Sequence, residues 1–166
     1  DQGGPLIQSK KGAVADRSFF HIAPRPRTAR MDRRLRIDDG KEGESMFETV
    51  TKNGRVLALI PADRTIPDGD AALELAVSAR YETDSTRLVI PKECFPPEFF
   101  WLSTGLAGEI LQKWTNYGFR AAIFGDFSAY TEVSKSLRDF IYECNRGTAV
   151  FFVPTRQEAE ERLSQV

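Results

Sequence analysis

Short apolar runs alternate with longer segments of helical periodicity through residues 46–166, and this alternation limits the possible folds more than any other feature. Asn53-Gly54 separates two β-prone runs, which predicts a tight hairpin at the start. The runs at 88–90, 119–124 and 149–153 are mostly apolar, as is typical of strands covered on both faces. The order β-β-α-β-α-β-α-β-α predicts an α/β domain with a five-stranded mixed sheet and helices.

Cap residues and apolar spacing predict where the helices lie. Asp68 is the expected N-cap of the first helix. The second, which we expect to be the longest, is indicated by apolar residues that recur on one face: Leu102, Leu106, Ile110, Trp114 and Tyr117. Asn145-Arg146-Gly147 ends the third helix. Thr155 and Glu158 fit a capping box that opens the last one.

Residues 1–45 differ from the rest of the chain. They contain Gly3-Gly4-Pro5 and Pro24-Arg25-Pro26-Arg27 and show no sustained periodicity, which predicts a disordered N-terminal arm. Because the chain starts with Asp and Met46 opens the first strand-like run, we interpret the arm as an expression-derived or upstream extension. The alternative is a basic arm whose arginines contact an acidic partner. Residues 46–166 are then a single α/β domain.

Charge and cysteine usage exclude several classes of function. The net charge is -1, and ten basic and seven acidic residues lie in 1–45, so the domain itself is mildly acidic and nucleic acid is not an expected partner. Cys94 and Cys144 stand fifty positions apart without a CxxC pair, which favours two free thiols in a reducing compartment. No apolar stretch approaches membrane-spanning length. We therefore expect a soluble, cytoplasmic protein that does not contact a membrane.

The domain lacks the side chains of several common catalytic and cofactor sites. His21, the single histidine, lies in the arm, which excludes a Ser-His-Asp or Cys-His nucleophile pair within the domain and removes the usual nitrogen ligand of zinc. No glycine-rich segment has the Lys-Ser/Thr pair of a P-loop. We expect no metal, no cofactor and no catalytic residue; these absences favour a non-enzyme and leave an enzyme as the alternative.

One polar segment follows the fourth strand, where a doubly wound sheet would place ligands. Its candidate binding residues are Asp126, Ser128, Ser134, Lys135 and Arg138. Hydroxyls and cations near a helix N-terminus are suited to an anion. The alternative is that Asp126 and Ser134 are turn and cap residues and that the two cations are solvated.

A second candidate segment opens the second helix. Ser103 or Thr104 would present a hydroxyl there, and Gly105 would allow a partner to approach closely. Glu109 pairs with Lys113 at i,i+4 in this interpretation. Asn116 and Tyr117, at the end of the same helix, are either caps or recognition residues.

Four aromatic residues and two prolines crowd the segment 95–101. Such a segment either covers the edge of the core or forms a contact surface. A homodimer would be the simplest interface of this kind.

Residues 46–166 resemble the bacterial family described as domain of unknown function 4180. The resemblance rests on the segments 97–100, 104–113, 116–117, 125–128 and 135–143. It implies a small cytoplasmic bacterial protein and brings no established activity, cofactor or catalytic residue.

The domain is also similar, more distantly, to STAS domains, the fold of anti-sigma-factor antagonists and sulfate-transporter tails. Ser103-Thr104-Gly105-Leu106 looks like the antagonists' Asp-Ser-Ser-Gly-Leu segment, whose serine is phosphorylated. Leu102 stands where the aspartate would be, and the loop 92–101 is longer than in that family. Together these features predict a STAS-like, non-catalytic protein-binding or regulatory module. The alternative is an anion-binding protein or enzyme with its site at 126–138.

Overall fold

The computed structural model describes residues 46–166, so the predictions for the arm at 1–45 lie outside the described residues. The elements in chain order are β1 (Glu48–Lys52), β2 (Arg55–Leu59), α1 (Gly69–Thr83), β3 (Arg87–Pro91), α2 (Leu106–Asn116), β4 (Arg120–Phe124), the one-turn helix α3 (Ser128–Thr131), α4 (Lys135–Arg146), β5 (Val150–Val153) and α5 (Arg156–Ser164). Three short 3-10 turns, Lys92–Cys94, Pro97–Phe100 and Leu102–Thr104, lie between β3 and α2. The predicted order is confirmed, with α3 as an addition.

The five strands form one mixed sheet in the order β1-β2-β3-β4-β5. β1 runs antiparallel to β2, and the remaining neighbours are parallel. Asn53 and Gly54 have φ angles of 51° and 74°, the left-handed values that a two-residue hairpin turn of type I′ requires. The predicted hairpin and the α/β fold class are confirmed.

The sheet is wound in one direction only. Because consecutive parallel strands are neighbours and such crossovers are right-handed, α1, α2 and α4 lie on the same face. The larger core joins Ile90 and Phe152 to Trp114 and Leu137 on that face. The opposite face packs under α5, where Leu163 belongs to the smaller core. The strand order never reverses, so this sheet lacks the switch-point crevice in which doubly wound sheets bind their ligands.

Side-chain caps fix the starts of α1 and α5. Asp68 Oδ1 accepts a hydrogen bond from Ala71 N–H at 2.8 Å, and Thr155 Oγ1 accepts one from Glu158 N–H at 3.2 Å, so both predicted N-caps are confirmed. The predicted start of the second helix at Leu102 was wrong. Gly105, at φ 77°, separates Leu102 from the helix proper. With 11 residues α2 is also shorter than α1, which has 15.

No helix within residues 46–166 is long and apolar enough to cross a membrane.

Candidate functional site

The loops that follow β3 and β4 meet at the edge of the sheet where the parallel strands end. We call this region, residues 92–105 and 125–138, the carboxyl-edge surface. The buried ring of Phe100, from the first loop, stacks on Tyr130 with centroids 4.6 Å apart and contacts Phe127 at 5.7 Å. Lys92 Nζ donates a hydrogen bond to the backbone carbonyl of Asp126 at 2.5 Å. Ring stacking and this hydrogen bond hold the two loops together.

Gly125 allows the side chain of Lys92 to lie close to the loop that follows β4. Its φ of 147° is a conformation that residues with a side chain rarely adopt. A Cβ atom added there would lie 2.7 Å from Cγ of Lys92, so the aliphatic part of Lys92 lies directly over the glycine. The backbone at Gly125 and the position of Lys92 therefore depend on each other.

Asp126 forms a turn with Ser128. Its Oδ1 accepts a hydrogen bond from Ser128 N–H at 2.9 Å. Hydrogen bonds from the Ser128 side chain and backbone, with a smaller contribution from the charge of Lys92, hold the pKa of the Asp126 carboxyl below its usual range. The carboxylate is therefore ionised at neutral pH and supports the local turn.

The three residues of the predicted anion site point their polar groups at local partners. Ser134 Oγ caps α4 by accepting a hydrogen bond from Leu137 N–H at 3.1 Å. Lys135 Nζ pairs with Asp139 Oδ2 at 2.7 Å, and Arg138 donates to the carbonyl of Thr131. These contacts agree better with the alternative, in which Ser134 is a cap residue and the two cations are solvated, than with three groups that converge on one ligand.

An open depression of about 350 Å³ lies beside these residues. It is lined by Gly125, Asp126, Phe127, Ser128, Thr131, Ile141, Phe152, Val153 and Pro154. Asp126 and Ser128 are the predicted binding residues in this lining, whereas Ser134, Lys135 and Arg138 are outside it. The lining is mostly apolar.

Thr104 and Ser103 have different surroundings. The hydroxyl of Thr104 lies 2.7 Å from the carbonyl oxygen of Glu98 and 2.8 Å from that of Trp101, and it accepts a hydrogen bond from Leu106 N–H at 3.3 Å. Thr104 thus fixes the loop just before α2. Ser103 is exposed next to it.

The aromatic segment is divided between core and surface. Phe95, Phe99 and Phe100 are buried, and the rings of Phe95 and Phe99 stack with centroids 4.2 Å apart. Trp101 is 54% exposed. Three of the four aromatics therefore cover the core, and the fourth is available as a contact residue.

Sequence reasoning missed Val133. This side chain is 84% exposed in the turn between α3 and α4, beside the N-cap of α4. The available signal was an apolar residue between Glu132 and Ser134 in an otherwise polar loop. Together with Trp101 it gives each of the two joined loops an exposed apolar side chain.

Glu109 lies outside the carboxyl-edge surface, against the start of α1. A Cβ atom on Gly69 would lie 2.6 Å from Glu109 Oε1, so the carboxylate rests on the first residue of that helix. The predicted pair of Glu109 with Lys113 is replaced by a salt bridge from Lys113 Nζ to Asp70 Oδ1 at 2.8 Å. That hydrogen bond is the main cause of the raised pKa of Lys113, to which the charge of Glu109 contributes.

Asn116 and Tyr117 lie at the far end of α2. An 11-residue helix is about 16 Å long, which separates them from the carboxyl edge. Asn116 Oδ1 accepts a hydrogen bond from Gln112 Nε2 at 2.8 Å, and Tyr117 is 47% exposed. These two residues cannot share a compact site with Ser103 or Asp126.

Both cysteines are buried as free thiols, as predicted. Burial is the main cause that raises the pKa of each thiol, Cys94 and Cys144, to about 12. Thiols in this state are poor nucleophiles at neutral pH. Among residues 46–166, no three His, Cys, Asp or Glu side chains are grouped closely enough to hold a metal ion.

The chain belongs to the family described as Domain of unknown function (DUF4180), whose model matches residues 51–163. The match runs from β1 into α5 and confirms the family resemblance seen in the sequence. No curated protein and no solved structure matches the chain. The more distant similarity to STAS domains stays a prediction.

Proposed function

We propose that this domain is a non-catalytic module that binds a partner protein through the carboxyl-edge surface. The observation that carries the proposal is the exposure of Trp101 (54%) and Val133 (84%) on two loops that are packed against each other. Exposed apolar side chains grouped among polar ones mark contact surfaces, and tryptophan is over-represented among the residues that dominate binding energy.

The loops are already ordered by internal contacts. Phe100 stacks on Tyr130, the Thr104 hydroxyl bonds carbonyls of its own loop, and Lys92 bridges to the backbone of Asp126. A surface that is ordered before binding loses less conformational entropy when a partner docks. This favours recognition of a folded or extended protein segment by a preformed face.

The alternative, a small-ligand or anion site at 126–138, has one supporting observation. The depression of about 350 Å³ has the size of a small-molecule pocket. Its lining, however, excludes both candidate cations, Lys135 and Arg138, and these already have local partners. A mostly apolar depression is better suited to an apolar side chain of a partner than to an anion.

Regulation by phosphorylation would act at Ser103 rather than Thr104. Both residues are exposed, but the hydroxyl of Thr104 lies within hydrogen-bond distance of two carbonyl oxygens. A phosphate two residues from Trp101 would add about two negative charges to the proposed contact surface. Mass spectrometry of the protein after incubation with candidate bacterial kinases tests this part, and the absence of phosphate on Ser103 and Thr104 removes it.

The binding proposal is tested by purifying tagged full-length chain from the organism that encodes it. Trp101→Ala and Val133→Ser are compared with Tyr81→Ala, which removes an aromatic ring of similar exposure (50%) at the far end of α1. We expect a partner that co-purifies with the wild type and with Tyr81→Ala, and about tenfold less of it with Trp101→Ala. Equal recovery with all variants would contradict the proposed surface.

A further inference from the structure

The outer strands of the sheet, β1 and β5, differ in how their free edges are covered. This difference is independent of the carboxyl-edge surface. Asn145, in the last turn of α4, lies against the free edge of β5. Its Nδ2 donates to the carbonyl of Phe152 at 2.9 Å, and its Oδ1 accepts from Phe152 N–H at 2.7 Å. One side-chain amide thus occupies the two outward backbone groups of Phe152, which a neighbouring strand would otherwise bond.

Arg162 reinforces this closure from the other face of the sheet. Its guanidinium lies over the ring of Phe151 at 4.4 Å and donates to the backbone carbonyl of Asn145. Because Asn145 belongs to α4 and Arg162 to α5, the two residues connect the helices around the outside of β5. These contacts obstruct the pairing of a further strand with β5 at Phe152.

Among the described residues, 46–166, none covers the β1 edge in this way. The turn places Lys52 and Arg55 as a hydrogen-bonded pair, so the pairs alternate and Thr49 and Thr51 direct their backbone groups away from β2. Within residues 46–166, no hydrogen bond reaches these outward groups. Both threonine side chains are exposed as well. The edge therefore presents two unpaired donors and two unpaired acceptors.

We propose that β1 pairs with β1 of a second copy of this chain, antiparallel and centred on Val50. In that register Thr49 lies opposite Thr51 of the partner subunit, and these are the residues whose backbone groups point outward. The twofold axis repeats the pair, which gives four backbone hydrogen bonds. A register shifted by one residue would bring inward-facing groups to the interface and lose them.

The side chains are complementary in the same register. Glu48, Val50 and Lys52 share one face of β1, since they alternate along the strand. Glu48 then lies opposite Lys52 of the partner subunit, twice by symmetry, and Val50 lies opposite its own copy. Lys52 already holds Glu161 at 3.0 Å, so its ammonium is positioned on this face. Opposite charges across adjacent strands stabilise their pairing.

The test is sedimentation velocity on the full 166-residue chain from about 10 µM to about 1 mM, the range expected of an interface this small. We expect a reversible monomer–dimer equilibrium. Thr49→Pro should abolish the dimer, because it removes an outward N–H without breaking the β1–β2 ladder. Thr49→Val is the matched control: it keeps the N–H, and the dimer should persist.

Charge reversal tests the register. Glu48→Lys places like charges opposite each other twice and should raise the dissociation constant by about tenfold or more. Adding Lys52→Glu to that variant restores opposite pairs and should recover the dimer. Circular dichroism checks that each variant is folded. If Thr49→Pro does not fold, the two charge variants test the β1–β1 pairing by themselves.

Three outcomes would overturn the proposal. They are a wild-type chain that is monomeric over the whole concentration range, a dimer that survives Thr49→Pro, and a double charge variant that stays as weak as Glu48→Lys alone. The first would mean that the edge has another occupant or none. The second would move self-association to another surface, and the third would exclude the Val50-centred register.

Discussion

Replacing Gly125 by alanine tests the construction of the carboxyl-edge surface. A residue with a Cβ at φ 147° costs about 1 to 3 kcal/mol. The added carbon would also lie 2.7 Å from Lys92 Cγ, and moving that side chain gives up its bond to the Asp126 carbonyl, about 1 kcal/mol more. The lower entropy of the unfolded alanine chain returns about 0.5 to 1 kcal/mol. We expect a net loss of about 1 to 3 kcal/mol in the free energy of unfolding.

Urea denaturation followed by circular dichroism measures this loss. Gly108→Ala is the matched control, because Gly108 lies inside α2 with no atom within 4 Å of the added carbon. That change should stabilise the protein by about 0.5 to 1 kcal/mol, so the two identical substitutions have opposite signs. Adding Lys92→Ala to Gly125→Ala removes the contacts with Cγ and Cδ at 2.7 and 2.8 Å and leaves the one with Cβ at 3.2 Å, so it should recover most of the steric part of the loss. A Gly125→Ala protein as stable as the wild type would refute the reasoning.

Three further predictions concern the edge cover, the thiols and one surface carboxyl. Asn145→Ala should lower the free energy of unfolding by about 1 to 3 kcal/mol in urea denaturation, since it removes two hydrogen bonds to the β5 backbone. Cys94 and Cys144, with pKa values of about 12, should react with a thiol reagent at pH 8 only after denaturation; rapid labelling of the native protein would contradict their burial. The pKa of Asp70 is lowered by its hydrogen bond to Lys113, so an NMR titration should find it below its usual range and nearer to it in Lys113→Met. The stability from this pair is present above the ordinary carboxyl pKa and is lost as the pH falls through the lowered one.

The strands and the hairpin could be predicted because their signals are local. Asn53-Gly54 specifies a turn through its own backbone preferences. The apolar runs at β3 and β5 are short, and each follows a polar residue and ends at a proline. The N-caps at Asp68 and Thr155 are equally local, since the capping oxygen and its donor lie three residues apart.

The start of α2 could not be read from spacing. Leu102 and Leu106 both contact the core, so the apolar period continues through the break at Gly105. Periodicity reports which side chains face the core and does not reveal a backbone dihedral. The positive φ of Gly105 ends the preceding turn, and its role as a site of close approach stays a prediction.

Contacts between segments that are distant in sequence could not be predicted either. Lys113 has Glu109 as its neighbour at i,i+4, yet it pairs with Asp70, 43 positions away in sequence. Phe100 and Trp101 are adjacent aromatic residues, yet Phe100 is buried, in part by stacking on Tyr130 of α3, and Trp101 is exposed. For the same reason Asn145 could be identified as a helix stop and not as the cover of β5.

The central claim, that the carboxyl-edge surface binds a partner protein, is tested most directly by photocrosslinking in cells of the encoding organism. A photoreactive phenylalanine analogue is placed at position 101 in one full-length variant and at position 81 in another, where the native aromatic side chains are 54% and 50% exposed. The account predicts a discrete adduct with another protein from position 101 and none from position 81. An adduct from position 81 alone, or from neither position, would contradict it.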